Sequence, residues 1–265
     1  KGVSGKVAFL DSNVGRVALK VGHSKKDYEA SQEYTALSLV KKLGSGIAPM
    51  PYFVDLRVNL LISEQIIGES IKELDNGIVE ELADRLSITH SVFFNQSGLP
   101  YRQKHGSFNP FDRLVQQTTF LREWFGRMNE YTSQKDKTLA RSLQEGAESI
   151  TGNAERTRDI FAEKGFVLTH YDIRPNNIIR RASDKRIVLV DWGQPYIADP
   201  AMDIAKMFYK CGFSRHQEDL FFENYHSSRV SLANLRERVK VYTNLVRLGS
   251  YCWRTRVFNE DIQRL

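Results

Sequence analysis

The chain has little of what marks membrane, secreted or disulfide-rich proteins. Its two cysteines, Cys211 and Cys252, cannot build a disulfide framework or a four-cysteine zinc site, so we expect a reducing, cytoplasmic setting. No apolar run approaches the roughly 18 residues that span a bilayer, and residues 1–6 lack the apolar core of a secretion signal. With 7 Pro and 17 Gly in 265 residues, the chain is neither collagenous nor of low complexity. An ordinary globular protein without a membrane partner is predicted.

Charge of one sign is not in large excess. The 38 Lys and Arg exceed the 32 Asp and Glu by +6, which allows an anionic ligand without requiring nucleic acid. From Arg229 to Leu265 there are eight Lys or Arg and three Asp or Glu, with aromatic residues between them that would suit stacking on bases. A core stripe with a solvated basic face is the favoured interpretation. Nucleic acid is therefore an allowed but not a favoured partner, and the oligomeric state is unknown.

Several common catalytic motifs are absent. The chain contains neither the Walker phosphate-binding pattern nor G-x-G-x-x-G. Its histidines show no H-E-x-x-H spacing, and no serine stands in a G-x-S-x-G elbow. Metal hydrolases of that type and serine hydrolases are excluded on these grounds.

The N-terminal quarter of the chain has the short period of β-strands around one helix. Lys6 to Leu10 and Val17 to Val21 flank a turn-forming stretch, which predicts a hairpin. Helical spacing follows from Lys25 to Leu43, and strands are predicted at Pro51 to Leu56 and Val58 to Ile62.

Beyond Gly68 the pattern changes to long helices with a few strands between them. Helices are predicted at Asn76 to Asn95, Phe111 to Tyr131, Leu139 to Lys164 and after Pro200, and strands at Phe166 to Thr169, Asn177 to Ile179 and Arg186 to Val190. The fold class predicted is therefore α+β. A small β-rich lobe would cover residues 1–66 and a larger, mainly helical lobe residues 67–265.

The most informative stretch pairs two apolar strands with polar residues at their ends. His170, Asp172 and Asn177 follow the first strand in the spacing H-x-D-x-x-x-x-N, and the triplet Asp191-Trp192-Gly193 ends the second. Each residue alone is more often a turn or cap residue, but the combination matches the catalytic signature of kinases. Phosphoryl transfer needs a carboxylate that accepts the proton of an attacking hydroxyl and oxygen ligands that hold Mg²⁺. We predict Asp172 for the first role and Asn177 with Asp191 for the second.

These residues resemble the aminoglycoside phosphotransferase and choline kinase family, whose loop usually reads H-G-D-x-H-x-x-N. Tyr171 stands here for the usual Gly and Arg174 for the second His. The segment Ala198-Asp199-Pro200-Ala201-Met202-Asp203 is similar to the family's G-D-P-x-x-D, which replaces the activation loop of protein kinases. The resemblance implies a two-lobed, protein-kinase-like fold and a small-molecule acceptor.

The resemblance extends to the small lobe. Lys20 in Val17-Ala18-Leu19-Lys20 is similar to the lysine that reaches the nucleotide phosphates, and Glu33 to its helix-borne partner. The segment around Ser4 and Gly5 is a candidate loop over the phosphates. By the same analogy the Glu64 carbonyl and the Ile66 amide would pair with adenine. A surface location for the Lys and Glu, a flexible end and a plain edge strand are the simpler alternatives.

The sequence thus predicts an ATP-dependent, Mg²⁺-dependent kinase that phosphorylates a hydroxyl of a small molecule. The low acidity around the catalytic loop and the basic C-terminal segment favour a neutral or anionic acceptor over a polycation. Two alternatives remain open at this point: a kinase acting on protein or RNA, and a nucleotide-binding pseudokinase scaffold without activity.

Overall fold

The computed structural model describes residues 5–13, 15–22, 30–95, 141, 144–150, 152, 156, 158–161, 165–226 and 231–262. The predicted helix from Phe111 to Tyr131 lies outside these residues, as does Ser4. Within the predicted helix Leu139 to Lys164, residues 144–150 are helical and Arg158–Phe161 form a short 3₁₀ helix.

The N-terminal part is a four-stranded antiparallel sheet with one helix. Its elements are β1 (Gly5–Ser12), β2 (Gly15–Gly22), α1 (Ala30–Leu43), β3 (Pro51–Asp55) and β4 (Leu60–Glu64). The strand order is β1-β2-β4-β3, so the first hairpin and the second strand pair share one sheet. The predicted hairpin and the two later strands are confirmed.

Local residue choice explains where these elements turn. Ser12 pairs with Gly15 at the tip of the first hairpin, and Gly15 has φ 101°, which a residue with a Cβ rarely adopts. Helix α1 buries Ala36, Leu37 and Val40 on one face and is followed by Gly44 at φ 69°. Lys20 on β2 and Glu33 in the first turn of α1 are thereby placed on neighbouring elements.

Strand β5 (Gly68–Ser70) leads into helix α2 (Asn76–Thr89). The Asp75 side chain accepts a hydrogen bond from the Ile78 amide at 2.8 Å and caps the helix. The prediction of a helix as far as Asn95 was wrong. The chain leaves the helix at His90, because Phe93–Phe94 form β6 and pair with the strand at Phe166–Thr169.

Two small antiparallel sheets carry the middle of the chain. Their further strands are β7 (Phe166–Thr169), β8 (Ile178–Arg181), β9 (Ile187–Leu189) and β10 (Tyr196–Ala198). The strand orders are β10-β7-β6 and β5-β8-β9. Strand β8 begins one residue later than predicted, because Pro175–Asn177 form a 3₁₀ turn. Strands β7 and β9 are fully buried, so their ends are fixed points from which the loops of the site project.

Three helices complete the described chain: α3 (Pro200–Cys211), α4 (Arg215–Asn224) and α5 (Leu232–Ile262). Asp199 caps α3 by accepting a hydrogen bond from the Ala201 amide at 3.0 Å, and Pro200 lies in the first turn of this helix. Helices α3 and α5 pack against each other around the buried side chains of Met207 and Val239, among others. No helix in these described ranges is long and apolar enough to cross a membrane.

The division into lobes at residue 66 stays a prediction. Strand β4 ends at Glu64, and the next strand, β5, joins a different sheet by pairing with β8. This change of sheet is the feature of the fold that agrees with the proposed boundary.

Candidate active site

The loop after β7 is held by a buried aspartate on α3. The Asp203 carboxylate accepts hydrogen bonds from the backbone amides of His170, at 3.0 Å, and Tyr171, at 2.8 Å. Asp203 is fully buried, so these charge-assisted bonds to backbone amides satisfy a group that would otherwise be costly to bury. Helix α3 therefore fixes the backbone that presents Asp172.

His170 braces the loop from inside. Its Nδ1 accepts a hydrogen bond from the Asp172 amide at 3.3 Å, so its Nε2 is the protonated nitrogen and donates to the Val190 carbonyl at 3.0 Å. Burial lowers the pKa of His170, and the nearby Asp203 carboxylate only partly opposes this effect. The imidazole is thus neutral, and it links the catalytic loop to the loop that carries Asp191.

Tyr171 adopts a left-handed backbone conformation with φ 67°. This conformation costs about 1–2 kcal/mol for a residue with a side chain and costs glycine very little, which explains the glycine of the related motif. The Tyr171 ring is half-buried and lies 5.8 Å from the ring of Tyr196. The side chain that replaces glycine is therefore packed into the site.

Asp172 and Asn177 are in direct contact. The Asn177 side-chain amide donates to the backbone carbonyl of Asp172 at 2.9 Å and to its carboxylate Oδ2 at 3.2 Å. Arg174 Nε lies 3.3 Å from the same Oδ2, and the Lys210 ammonium contacts Oδ1. The structure brings the predicted base and the predicted amide ligand together and surrounds the base with cations.

Lys20, Glu33 and Asp191 form a second cluster. Lys20 Nζ lies 2.9 Å from Glu33 Oε2 and 2.6 Å from Asp191 Oδ1, although Lys20 and Asp191 are 171 residues apart in the chain. Burial lowers the pKa of Lys20, but the two carboxylates more than offset it, so the pKa is raised. For Asp191 burial raises the pKa, yet the Lys20 charge and hydrogen bond outweigh it and the pKa is lowered.

The two clusters adjoin through the backbone. The Val190 amide donates to the Asn177 carbonyl at 2.9 Å, which places Asp191 beside Asn177. Asp191 itself has φ 63°, a conformation that turns it out of the strand direction. No group of three or more His, Cys, Asp or Glu side chains suited to a metal occurs among the described residues. An Asp with an Asn fits Mg²⁺, which proteins hold through one or two carboxylates and substrate phosphates.

Three other residues predicted to bind nucleotide lie in or just after strands of the small sheet. Glu64 ends β4, donates its amide to the Met50 carbonyl at 2.8 Å and pairs its carboxylate with Arg181 at 3.3 Å. Ile66 follows in the link to β5, and Gly5 is the first residue of β1. The roles of Ser4, Gly5, Glu64 and Ile66 in binding nucleotide stay predictions.

Sequence reasoning missed two lysines on α3. Lys206 Nζ donates to the Tyr171 carbonyl at 3.2 Å and lies 3.1 Å from the centroid of the Tyr171 ring, while Lys210 contacts Asp172. Burial lowers the pKa of Lys206 to about 7, and the Lys210 charge adds to this effect. The available signal was their spacing of four residues, which places both on one face of a helix.

A family model now bears on this geometry. The model described as the phosphotransferase enzyme family, APH, matches residues 1–242. The chain belongs to the phosphotransferase enzyme family. The predicted family is confirmed, and with it the prediction of a phosphotransferase. No curated protein matches the sequence closely enough to count as a relative.

Solved structures of the family share the fold. An ethanolamine kinase from Plasmodium vivax superposes with a TM-score of 0.66 at 14% identity, over 96% of this chain and 74% of that one. The choline kinase LicA from Streptococcus pneumoniae gives 0.58 at 19% identity, over 97% and 90%. A mutant of aminoglycoside phosphotransferase APH(4)-Ia gives 0.61 at 18%, over 98% and 87%. The predicted kinase-like α+β fold is confirmed.

Proposed function

We propose that the protein transfers the γ-phosphoryl group of ATP to a hydroxyl group of a small molecule. The observation that carries the proposal is the adjacency of two clusters, Lys20 with Glu33 and Asp191, and Asp172 with Asn177. A phosphate-binding lysine and metal-ligand oxygens next to a carboxylate base are the parts that this reaction needs.

The nucleotide would lie between the small sheet and the loop after β9. Lys20 is held by two carboxylates, and its ammonium is the described cation best placed for the phosphates. LicA, a relative in fold, has been solved in complex with AMP, with a TM-score of 0.53 at 20% identity over 93% of this chain and 82% of that one. The adenine contacts proposed for the Glu64 carbonyl and the Ile66 amide extend this placement to the link after β4.

Asn177 and Asp191 would hold Mg²⁺, whose charge would neutralise the phosphates. The acceptor hydroxyl oxygen would attack the γ-phosphorus as the bond from that phosphorus to the β,γ-bridging oxygen breaks, and ADP leaves with the bonding electrons. Asp172 would orient the hydroxyl and accept its proton on a carboxylate oxygen. His170 and Asp203 would keep the loop in position without touching the substrate.

A small acceptor is supported by the path of the chain after Asp191. Strand β10 follows within a few residues and pairs with β7, and α3 begins at Pro200. This leaves no room for the long activation segment on which protein kinases bind peptides. The names of the similar structures, which include an ethanolamine kinase and a choline kinase, agree with a small hydroxyl compound. A neutral or anionic acceptor is proposed, and the cytoplasmic location stays a prediction.

The test is transfer of labelled γ-phosphate from ATP to panels of small hydroxyl compounds, proteins and RNA. We expect product only with small molecules. Phosphorylated protein or RNA as the main product would replace this proposal with the other kinase class.

Calorimetric titration with Mg·ATP tests the nucleotide half of the site. Asp191→Ala should weaken binding about tenfold or more, since a direct ligand of the metal is lost and Lys20 loses a partner. Asp84→Asn, at an exposed position on α2, is the matched control and should bind normally. Unchanged Mg·ATP affinity in Asp191→Ala would contradict the assignment of this residue.

A further inference from the structure

The catalytic carboxylate is surrounded by positive charge. Lys210 contacts Oδ1 of Asp172, and Arg174 Nε lies 3.3 Å from Oδ2. Lys206 lies one helical turn before Lys210 and contacts the neighbouring Tyr171. Both oxygens of the proposed base therefore have cationic partners before any acceptor binds.

These cations are side chains of the site and are not remote surface charges. Helix α3 runs along the catalytic loop: Asp203 binds the amides of His170 and Tyr171, and Lys210 reaches Asp172 farther along the same helix. Lys210 and Arg174 are about 30% and 48% exposed, so a ligand has access to both. The described carboxylates that interact with these cations include Asp172 itself, Asp203, which is buried and bound to the loop amides, and Asp191, which is paired with Lys20.

This arrangement poses a problem for the proposed reaction. Lys210 occupies Oδ1 of Asp172, and Arg174 and Asn177 occupy Oδ2, so neither oxygen is open to an acceptor hydroxyl. Lys210 must transfer its contact from Oδ1 before a hydroxyl proton can be accepted there. An ammonium left without a partner in a half-buried site is unfavourable, so the exchange needs a second anion.

We propose that Lys210 and Arg174 bind an anionic group of the acceptor, a carboxylate or a phosphate, and that this exchange frees Asp172 to accept the hydroxyl proton. The inference rests on the proposed phosphotransfer at the same site and narrows its substrate class. In the exchange no covalent bond changes: the Lys210 ammonium moves from one carboxylate to the acceptor's anion, and the acceptor hydroxyl takes its place at Oδ1.

The geometry also limits the length of the acceptor. Lys210 and Arg174 flank Asp172, so an anion held by them and a hydroxyl at Oδ1 would be close neighbours, each with a hydrogen bond of about 2.8 Å. The hydroxyl and the anionic group of the acceptor would then be separated by only a few carbon atoms. A quaternary ammonium in the same place would face the positive charges of Lys210 and Arg174.

A set of short acceptors separates these charge classes. The probes are glycerol as the neutral compound, glycerate as the carboxylate, glycerol 3-phosphate as the phosphate, and choline and kanamycin as cations, compared by kcat/KM for ATP consumption. We expect glycerate or glycerol 3-phosphate to exceed both cations by at least about 100-fold. Whichever of the two is preferred identifies the anion as carboxylate or phosphate. Efficient turnover of choline or kanamycin in preference to both anions would overturn the inference.

Variants at Lys210 test its role directly. Lys210→Gln should lower kcat/KM for the anionic acceptor about 10- to 100-fold more than it lowers kcat/KM for glycerol, the difference expected for one charge-assisted contact. Lys210→Arg should retain most of the activity. Lys42→Gln, on the exposed last turn of α1, is the control. An equal loss with glycerol and with the anions would mean a merely structural role for Lys210 and would contradict the inference.

A binding measurement keeps the inference testable if none of these compounds is the natural acceptor. Protein saturated with Mg²⁺ and a non-hydrolysable ATP analogue is titrated with inorganic phosphate and with glycerate. We expect wild-type protein to bind at least one of them about tenfold or more tightly than Lys210→Gln does. Equal affinity of the two proteins for both probes overturns the inference. If the protein does not bind the Mg²⁺ analogue complex at all, the proposed function fails first and the inference falls with it.

Discussion

At the scale of single residues, Lys20 is held by two carboxylates from distant parts of the chain. Its side chain is about 14% exposed, and it bridges Glu33 on α1 and Asp191 after β9. Removing one member of such a partly buried ion pair is costly because the other charge loses its compensation. The trio therefore ties the small sheet to the catalytic part of the chain and sets the position of the ammonium.

Glu33→Gln should raise the KM for ATP or lower kcat so that kcat/KM falls about 10- to 100-fold, since Lys20 would lose the charge of one of its two carboxylate partners. Steady-state kinetics with varied Mg·ATP measures this effect. Glu80→Gln, at an exposed position on α2, should behave like wild type. If Glu33→Gln keeps normal kinetics for ATP, Glu33 does not position Lys20.

Lys206 is predicted to titrate near neutral pH. Burial and the Lys210 charge lower its pKa from 10.5 to about 7, against the opposing attraction of Asp203 and Asp172. A neutral amine is nucleophilic, so the acetylation rate of Lys206 in the folded protein should level off just above pH 7, whereas the rate for a lysine with the ordinary pKa of about 10.4 keeps rising to about pH 10. Mass spectrometry of protein labelled briefly at a series of pH values measures the rate at Lys206. Labelling of Lys206 only above about pH 9 would contradict the low pKa.

The lowered pKa of Lys206 also predicts how the stability of the protein depends on pH. At pH values below about 7 Lys206 is charged in both folded and unfolded protein, so the full cost of the buried charge is present. As the pH rises from about 7 to 10.5, the folded protein loses this charge first and the cost disappears. The free energy of unfolding of Lys206→Met, taken relative to that of wild type, should therefore be higher at pH 6 than at pH 10 by about 1–4 kcal/mol. Thermal unfolding at the two pH values measures the difference, and a pH-independent difference would contradict it.

Residue spacing identified Asp172, Asn177 and Asp191 because each follows a short apolar strand, and strand ends can be recognised locally. The structure places all three side by side. Lys206 and Lys210 were not found from the sequence, because the residues of α3 alone do not show which face of this helix contacts the catalytic loop. That face is set by Asp203, whose bonds to the loop amides orient the helix.

At the scale of elements, the path of the chain after β4 requires Gly68, at the start of β5, to lie very close to the backbone of β8. A Cβ on Gly68 would lie 2.1 Å from the Arg180 carbonyl oxygen on β8. Backbone atoms of a paired strand cannot move aside as a flexible side chain can, so only glycine fits there. The need for glycine at this point follows from β5 pairing with β8, directly after the link that carries Ile66.

Gly68→Ala should destabilise the protein by about 1–3 kcal/mol through this clash, measured by chemical unfolding. Gly249→Ala is the matched control, because Gly249 lies within α5 and an added Cβ there meets nothing within 4 Å. The control should gain up to about 1 kcal/mol from the better helix propensity of alanine. Similar effects of the two substitutions would contradict the close approach.

Sequence patterns predicted the long or strongly apolar elements and missed the short ones. Strands β5 and β10 have three residues each, too few for a visible alternation, and pairing with β8 and β7 determines them. Helix α2 was extended too far because Val92 fits its apolar spacing, whereas the pairing of Phe93 with Val167 decides where the chain goes. Tertiary pairing outweighed local propensity in each case.

At the scale of the whole molecule, the chain brings residues from its first 35 positions to residues near position 190. The match over residues 1–242 shows that the chain belongs to the phosphotransferase enzyme family, and the likeness to a solved kinase shows that it shares the fold. The part of the site proposed to bind the acceptor departs at one position from the related motif. Arg174 stands in place of the histidine of the related motif, and Lys210 joins it at Asp172.

Asp172 is proposed as the base of a phosphoryl-transfer site, and the nucleotide part of this site is expected to work without it. The most direct test compares Asp172→Asn with wild type for both transfer and Mg·ATP binding. We predict that transfer falls about 10²- to 10⁴-fold, as expected for loss of a general base, while calorimetric affinity for Mg·ATP stays within a few-fold. Near-normal turnover by Asp172→Asn, or loss of Mg·ATP binding together with turnover, would contradict the account.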